Sequence, residues 1–194
     1  MITAIDPKTA LILVDLQKFI LNLTPVHPVR QIIDNSNLLL DIFHEKRLPV
    51  VMVRVIPRDA AWTKTRKDAA QNRAGISEEL LQLSDSLHIQ ETDILVIKHT
   101  WNAFFETGLH DILRKEGVTG IVLGGVSTSI GVEGTARSAS ELGYNISFAT
   151  DAISDLSREA HERSLRYIYS RLGESGTTEE IIEVLKKPGT SPGE

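Results

Sequence analysis

The segment Ile121-Val-Leu-Gly-Gly-Val-Ser-Thr-Ser-Ile-Gly-Val-Glu-Gly-Thr-Ala-Arg137 is the strongest indication of fold in this 194-residue chain. A short apolar run ends in a double glycine, three hydroxyl residues follow Val126, and a helical pattern begins at about Ile130. A strand that turns sharply into a helix points the first backbone N–H groups of that helix at whatever lies above the sheet. We therefore expect a ligand site at the 126–131 turn, although no residue in this turn is a strong nucleophile.

Apolar runs alternate with helical patterns along the rest of the chain, which predicts the α/β class. Continuous runs of aliphatic residues are typical of strands buried on both faces of a parallel sheet. Strands are predicted at 10–15, 50–55, 93–98, 120–124 and 145–149. Helices are predicted at 29–47, 78–87 and 109–115, from about Ile130 to Leu142, from Ser157, and from Thr177 or Thr178. We expect a single domain over residues 1–187 and a disordered tail at 188–194.

Composition limits the classes of partner. The net charge of −5, with no basic block, argues against nucleic acid and anionic membranes. No apolar run approaches the roughly 18 residues of a membrane span, and nothing indicates an oxidising compartment, so we expect a cytoplasmic protein. The chain has no cysteine, which excludes thiol nucleophiles and thiolate metal sites. The polar segment 57–77 is interpreted as a lid or a subunit contact.

Two charged residues each end an apolar run, namely Asp15 and Lys98. Because the carboxyl ends of parallel strands meet at one edge of the sheet, both are predicted to converge with the 126–131 turn. Either charge alone is more often a solvated loop residue. As a partly buried pair, however, they supply the partners that buried charges require. The carboxylate could then act as a general acid or base whose pKa the lysine tunes.

Three known ligand-binding or catalytic motifs match the sequence around the 126–131 turn only in part. The turn is not a P-loop, because no lysine follows Gly131, and its glycine spacing differs from the dinucleotide fingerprint. Gly125-Val-Ser-Thr-Ser129 comes within one residue of a nucleophile elbow, with Asp151 or Asp155 and His161 downstream. Its last glycine is missing, however, and His161 is better interpreted as a helix residue beside Glu162.

No metal-ligand spacing is present, so neither a metal nor another cofactor is expected. The scattered histidines are interpreted as surface residues, namely His44, His88 and His110. An aromatic loop follows Lys98, and its Trp101, Phe104 and Phe105 belong either to the core or to the wall of a ligand site.

Several separated motifs together resemble the isochorismatase-like (cysteine hydrolase) superfamily from Ala10 to about Ile182. They are Leu-Val-Asp15-Leu-Gln17, Lys98-x-x-Trp-x-Ala-Phe-Phe-x-Thr107-x-Leu, Gly124-Gly-Val-Ser-Thr-Ser-Ile-Gly131-Val-Glu-x-Thr-Ala-Arg137, Gly143-Tyr and Asp151-Ala. The block from Gly125 to Arg137 is the most specific. The resemblance implies a three-layer α/β/α, Rossmann-like fold with a doubly wound, six-stranded, mainly parallel sheet. It also implies a cis peptide at Val126–Ser127, a small-molecule substrate, and a homodimer or homotetramer.

The resemblance also implies a catalytic site. The amidases of the superfamily use an Asp, a Lys and a Cys; Asp15 and Lys98 match the first two, and Gly131 stands at the cysteine position. Covalent thiol catalysis is therefore excluded, and the zinc-binding Asp-x-His of nicotinamidases has no counterpart after residue 55. Isochorismatases also have glycine at this position, and in them the Asp protonates a vinyl ether carbon. This implies that Asp15 is a general acid, that Lys98 orients it or contacts a substrate carboxylate, and that backbone N–H groups at 129–131 bind an anionic oxygen.

One departure argues against isochorismate itself. Isochorismatases carry Tyr-Ala-His where this chain has Ser127-Thr-Ser129, so an aromatic side chain that binds the substrate ring is absent. The predicted substrate-binding residues are Gln17, Trp101, Phe104, Ser127, Thr128, Ser129 and Ile130. The prediction is a hydrolase of a small carboxylate substrate; the alternative is a non-catalytic binding or scaffold protein derived from the same fold.

Overall fold

Six parallel strands form the centre of the computed structural model, which describes residues 1–57, 66 and 75–187. The strands are β1 (Thr9–Val14), β2 (Val50–Val55), β3 (Ile94–Lys98), β4 (Gly120–Val126), β5 (Asn145–Ser154) and β6 (Glu174–Gly176). Their order is β3-β2-β1-β4-β5-β6, and every neighbouring pair is parallel. The strand order reverses between β1 and β4, which is where open α/β sheets bind ligands. The predicted α/β fold is confirmed.

Helices cover both faces of this sheet. They are α1 (Lys18–Leu21), α2 (Val29–Glu45), α3 (Leu109–Lys115), α4 (Glu133–Glu141), α5 (Arg158–Arg163), α6 (Ser170–Leu172) and α7 (Thr178–Lys186), with π-helical segments at Thr128–Val132 and Ser164–Tyr169. Side chains alternate along β1: Leu11 and Leu13 pack in one core with α2 and α7, whereas Ile12 and Val14 pack in the other with α3 and α4. The result is the three-layer arrangement.

Three helices begin or end where the sequence predicts. The predicted apolar face of α2 is buried, and α3 covers the predicted residues, 109–115. Gly117 follows α3 with φ of 69°, a left-handed conformation that suits the stop of a helix. Thr177 caps α7, where its side chain accepts the Glu180 N–H and the Glu180 side chain returns to the Thr177 N–H.

The predicted helix at 78–87 is wrong, because this segment forms turns. Its backbone makes a few turn hydrogen bonds, such as that from the Gln82 N–H to the Glu79 carbonyl, and is also hydrogen-bonded to the chain that follows β1. Lys18 N–H donates to the Gln82 carbonyl at 3.0 Å, and Ser84 N–H donates to the Leu16 carbonyl at 2.9 Å. An isolated antiparallel bridge also joins Gln17 to Leu83. Tertiary partners take backbone groups at Gln82 and Ser84 that a continuous helix would need for its own i to i−4 bonds.

Strand and helix ends differ from the sequence prediction in four further places. β5 runs to Ser154 instead of residue 149, past a register shift between Leu123 and Gly125 of β4, and β4 itself reaches Val126. The segment 18–28, for which no helix was predicted, contains α1. Leu142, predicted as the last residue of α4, lies beyond the helix, which ends at Glu141, and is 41% exposed.

One histidine predicted at the surface is largely buried. His44 Nε2 lies 2.8 Å from Asp93 Oδ1, and the His44 side chain is only 10% exposed. His88 is exposed and pairs with Asp41. His110 is half-buried, with Nδ1 at 2.9 Å from the Tyr144 hydroxyl.

Two predicted segments fall largely outside the described residues. These are the lid or subunit contact at 57–77, of which 58–65 and 67–74 are not described, and the tail at 188–194. Within the described chain, no helix is long and apolar enough to cross a membrane.

Candidate active site

Asp15 follows the last residue of β1 and lies at the centre of the sheet's carboxyl edge. Its φ of 54° is left-handed, which is uncommon for a residue other than glycine and occurs most readily for Asp and Asn. The Asp15 N–H donates to the Val53 carbonyl at 2.9 Å, which ties this bend to β2. An enforced left-handed residue at the ligand edge of the sheet is typical of a functional site.

Lys98, the last residue of β3, reaches Asp15 across the end of β2. Its Nζ lies 2.7 Å from Asp15 Oδ2 and donates a second hydrogen bond, also 2.7 Å long, to the Trp101 carbonyl. The two residues are buried, with 1% exposure for Lys98 and 4% for Asp15. The other carboxyl oxygen, Asp15 Oδ1, is buried and has no hydrogen-bond partner among the described residues. The site therefore contains a shielded ion pair and one unsatisfied acceptor.

Burial raises the pKa of Asp15 to about 6, from a usual 3.8. The Lys98 ammonium acts in the opposite direction but does not outweigh the loss of solvation. The carboxyl can therefore gain or lose a proton near neutral pH, which is what a general acid or base requires.

The 126–131 turn completes this cluster. The Val126–Ser127 peptide bond is cis, and the π-helical segment begins at the next residue. A Cβ atom built on Gly131 would lie 3.1 Å from Asp15 Oδ2 and 3.3 Å from Lys98 Nζ. The structure therefore brings Asp15, Lys98 and Gly131 together from three separate strands.

Asp155 holds the turn from the end of β5. Its Oδ2 accepts the Ser129 N–H at 2.7 Å and the Ser129 hydroxyl at 2.8 Å, while Oδ1 accepts the Leu156 and Ser157 N–H groups. The Ile130 N–H donates to the Ser127 carbonyl. Two of the three backbone donors predicted to bind an anionic oxygen, those of Ser129 and Ile130, are thus used within the protein.

Thr128 points away from the site and is fully buried. Its Oγ1 lies 2.7 Å from His161 Nδ1, and its carbonyl accepts the Tyr169 hydroxyl at 2.9 Å. His161 lies in α5 as predicted but is buried, 5% exposed, with its ring 4.8 Å from that of His27. Because His161 binds Thr128 and not Ser127, the triad of a nucleophile elbow is not formed here.

Gln17 and Phe104 are placed in structural positions, in contrast to their predicted role in substrate binding. Gln17 Nε2 donates to the Val55 and Leu81 carbonyls at 3.0 and 2.7 Å, and its Oε1 accepts the Val55 N–H at 2.8 Å. The Phe104 ring stacks on Tyr144, which precedes the first residue of β5 at the amino end of the sheet. Gln17 therefore ties β1 to β2, and Phe104 packs against the core.

Three predicted residues remain beside the site. Trp101 and Ile130 are 58% and 40% exposed, and Ser127 is half-buried. Trp101 Cβ lies 3.5 Å from a Cβ built on Gly134, one helical turn after Ile130. Trp101 and Ile130 therefore offer neighbouring apolar surface close to the Asp15–Lys98 pair.

The contacts of Asp155, His161 and Tyr169 with the turn were not predicted. The rule that located Asp15, a charged residue directly after a strand, also locates Asp155 once β5 is known to end at Ser154. Because β5 was predicted to end at residue 149, this rule did not select Asp155 from the sequence. Nothing in the sequence pattern indicated the Tyr169 contact. Among the described residues, no group of three or more His, Asp or Glu side chains is arranged to hold a metal ion.

Comparison with known proteins gives consistent matches over nearly the whole chain. The isochorismatase domain model matches residues 9–180. The uncharacterized isochorismatase family protein YwoC of Bacillus subtilis (strain 168) is 39% identical over 182 residues, which cover 92% of this chain and 95% of that protein. YecD of Escherichia coli O157:H7, also an uncharacterized isochorismatase family protein, is 37% identical over 185 residues, or 91% and 96% of the two chains.

Comparison with solved structures also finds an isochorismatase family protein. An isochorismatase family protein from Burkholderia thailandensis superimposes with a TM-score of 0.89 at 32% sequence identity, covering 95% of this chain and 98% of that one.

Proposed function

This chain belongs to the isochorismatase family of hydrolases, and from that premise we propose that it hydrolyses a small carboxylate substrate without a covalent thiol intermediate. The absence of cysteine from the whole chain removes the nucleophile of the amidase reaction. The observation that carries the proposal is the Asp15 carboxyl, which binds Lys98 through Oδ2 and has no described partner at Oδ1. A carboxyl with one oxygen fixed and the other available is suited to proton transfer.

The reaction class is the hydrolysis of a vinyl ether or a related group. Protonated Asp15 forms a C–H bond at the vinyl carbon, and the ether oxygen shares its electrons to give an oxocarbenium ion. Water adds to that ion and returns a proton to the Asp15 carboxylate. The resulting hemiketal loses the alcohol as its C–O bond breaks, which leaves a ketone. The balance is substrate plus water giving ketone plus alcohol.

Lys98 and the exposed apolar residues supply binding. The Lys98 ammonium has three donors, and two described acceptors, Asp15 Oδ2 and the Trp101 carbonyl, leave one for a substrate carboxylate. Trp101 and Ile130 would contact the apolar part of the substrate. Gly131 brings no side chain against the pair, where a Cβ would lie only 3.1 Å from Asp15 Oδ2.

The test is turnover of isochorismate, other vinyl ethers and amides, followed by NMR of the products. Asp15→Asn should lower kcat by about 10²-fold or more, because proton transfer by a positioned group contributes about 10² to 10⁴. Asp34→Asn is the matched control, because Asp34 is 62% exposed on α2 and the chemical change is the same. A wild-type rate in Asp15→Asn would overturn the proposed role.

A non-catalytic binding or scaffold protein is the alternative. The low exposure of Asp15, 4%, and the glycine at the nucleophile position favour it. If the protein is a non-catalytic binding protein, we expect a metabolite to co-purify with it and to remain chemically unchanged on incubation. Native mass spectrometry before and after incubation distinguishes the two functions.

We further propose that the protein is a homodimer or homotetramer in the cytoplasm. The family resemblance supports the first part and the composition supports the second. Sedimentation equilibrium measures the oligomer, and a single monomeric species at micromolar concentration would contradict it.

A further inference from the structure

A hydrogen bond between Thr128 and His161 joins α5 directly to a side chain of the turn next to Asp15. Thr128 Oγ1 and His161 Nδ1 are 2.7 Å apart, and the two residues are 0% and 5% exposed. Water cannot readily replace a partner in so buried a position. The side chain of Thr128 is therefore held by the imidazole of His161, while the Thr128 carbonyl is held by the Tyr169 hydroxyl.

The position of Thr128 is transmitted to Gly131 through the hydrogen bonds of the turn. The N–H groups of Ile130 and Val132 both donate to the Ser127 carbonyl at 3.1 Å. At the far end, the Thr135 hydroxyl donates to the Gly131 carbonyl at 2.7 Å. Residues 127–132 are therefore linked by hydrogen bonds, so a shift at Thr128 would be passed on to Gly131, against the restraint of the two Ser129 hydrogen bonds to Asp155.

We propose that His161 is a positioning residue, which holds Gly131 against Asp15 and Lys98 by binding the hydroxyl of Thr128. The inference rests on the proposed function for the chemistry that this position serves, but the geometry on which it depends is independent of any substrate.

Several charged or titratable groups surround His161. They are His27 before α2, Asp155 after β5, and Arg158 and Glu162 on α5. Tyr169 approaches from the following π-helical segment, since its hydroxyl binds the Thr128 carbonyl. Burial, and then His27, lower the pKa of His161. This shift favours the neutral imidazole, whose Nδ1 can accept a hydrogen bond from the Thr128 hydroxyl.

The experiment uses a thiol as a reporter at Gly131. Because the chain has no cysteine, Gly131→Cys introduces a single thiol beside Asp15 and Lys98. A Cβ at this position would lie 3.1 Å from Asp15 Oδ2, 3.1 Å from Val14 Cγ1 and 3.3 Å from Lys98 Nζ, so these three neighbours have to move by a few tenths of an ångström to accommodate it. The pH dependence of alkylation by iodoacetamide gives the thiol pKa, which Lys98 should hold below the usual value of about 8.5.

Two second-site variants break the contact from opposite sides. His161→Leu or Thr128→Val, each added to Gly131→Cys, should raise the thiol pKa by about one unit and slow alkylation at pH 7 by about tenfold. Combining His161→Leu with Thr128→Val should raise the thiol pKa no further than either change alone, because both remove the same contact. His161→Asn should retain the low pKa, since its amide reaches the place of Nδ1. Where a substrate is turned over, His161→Leu should lower kcat about tenfold and leave KM unchanged.

His110→Leu is the matched control, because His110 also binds a hydroxyl, that of Tyr144, but at the amino end of the sheet. It should leave the thiol pKa unchanged. Circular dichroism and thermal melting establish that each variant is folded, and Thr128→Val keeps the test decisive should His161→Leu fail to fold. An unchanged thiol pKa in folded Thr128→Val overturns the inference. The measurement needs no substrate, so inactivity on the substrate panel would count against the proposed function alone.

Discussion

Asp15 and Lys98 lie 2.7 Å apart in a position that is nearly closed to solvent. Two opposing effects act on the carboxyl: burial disfavours its charged form, and the lysine favours it. The pKa of Asp15 rises to about 6, so burial is the larger effect. The lysine prevents a still larger rise, and the pair as a whole keeps a protonated carboxyl accessible near neutral pH.

Removal of the lysine charge tests this balance. Lys98→Met should raise the pKa of Asp15 above about 6, because only the loss of solvation would remain. Carboxyl ¹³C NMR follows the titration, and the spectrum of Asp15→Asn assigns the resonance. Lys18→Met is the control, since Lys18 binds the exposed Asp85. An Asp15 pKa that falls or stays in Lys98→Met would show that the ammonium does not act on it as described.

At the scale of elements, the close approach of β1 and β4 places Asp15 beside the turn. Gly125 has φ of 118°, and a Cβ there would lie 2.1 Å from the Val14 carbonyl oxygen. The preceding glycine is also closely packed, since a Cβ on Gly124 would lie 2.9 Å from Leu13 Cδ2. The double glycine therefore allows the backbone of β4 to run against that of β1 up to the site.

Gly125→Ala should prevent folding or lower the free energy of unfolding by more than about 3 kcal/mol, because backbone atoms of β1 would have to move. Gly143→Ala is the control: its φ of 87° is also left-handed, but a Cβ there would meet nothing within 4 Å. The free energy of unfolding of Gly143→Ala should fall by only about 1 kcal/mol, which is the cost of the left-handed backbone conformation alone. Urea denaturation measures both, and equal losses would mean that the close approach is not the cause.

At the scale of the whole molecule, the proton on Asp15 is linked to folding. The folded protein binds this proton with a pKa of about 6, whereas the usual value for the carboxyl is 3.8. Below the lower value both states are protonated. As pH rises above it, the unfolded chain releases the proton first, so stability falls until the folded pKa is passed. The chain therefore gives up stability in order to keep a carboxyl of raised pKa at the centre of its sheet.

The size of this loss is measurable. The difference between 3.8 and about 6 corresponds to about 3 kcal/mol. Between pH 4 and pH 7, which contains most but not all of this change, the free energy of unfolding of Asp15→Asn should gain about 2 kcal/mol relative to wild type, because asparagine does not ionise. Asp34→Asn should show no such trend. A constant difference between Asp15→Asn and wild type across this range would mean that Asp15 titrates normally.

Features that depend on local pattern could be predicted from the sequence. The helical pattern located α2 and α3, the threonines at 177 and 178 located the start of α7, and apolar runs located five of the six strands. β6 has three residues, which is too short for any periodicity. The helix predicted at 78–87 was wrong because its backbone groups bind the chain after β1, and no local pattern records such distant partners.

The sequence by itself determined the family, the α/β class and the convergence of Asp15, Lys98 and Gly131, because parallel strands bring their carboxyl ends to one edge whatever the loops do. Only the tertiary structure decided which polar groups are used internally. It assigned Gln17 to the backbone of β2, the Ser129 N–H to Asp155, and Thr128 to His161. The reason is physical: a residue's spacing specifies its place on an element, whereas burial and hydrogen-bond partners depend on every element packed around it.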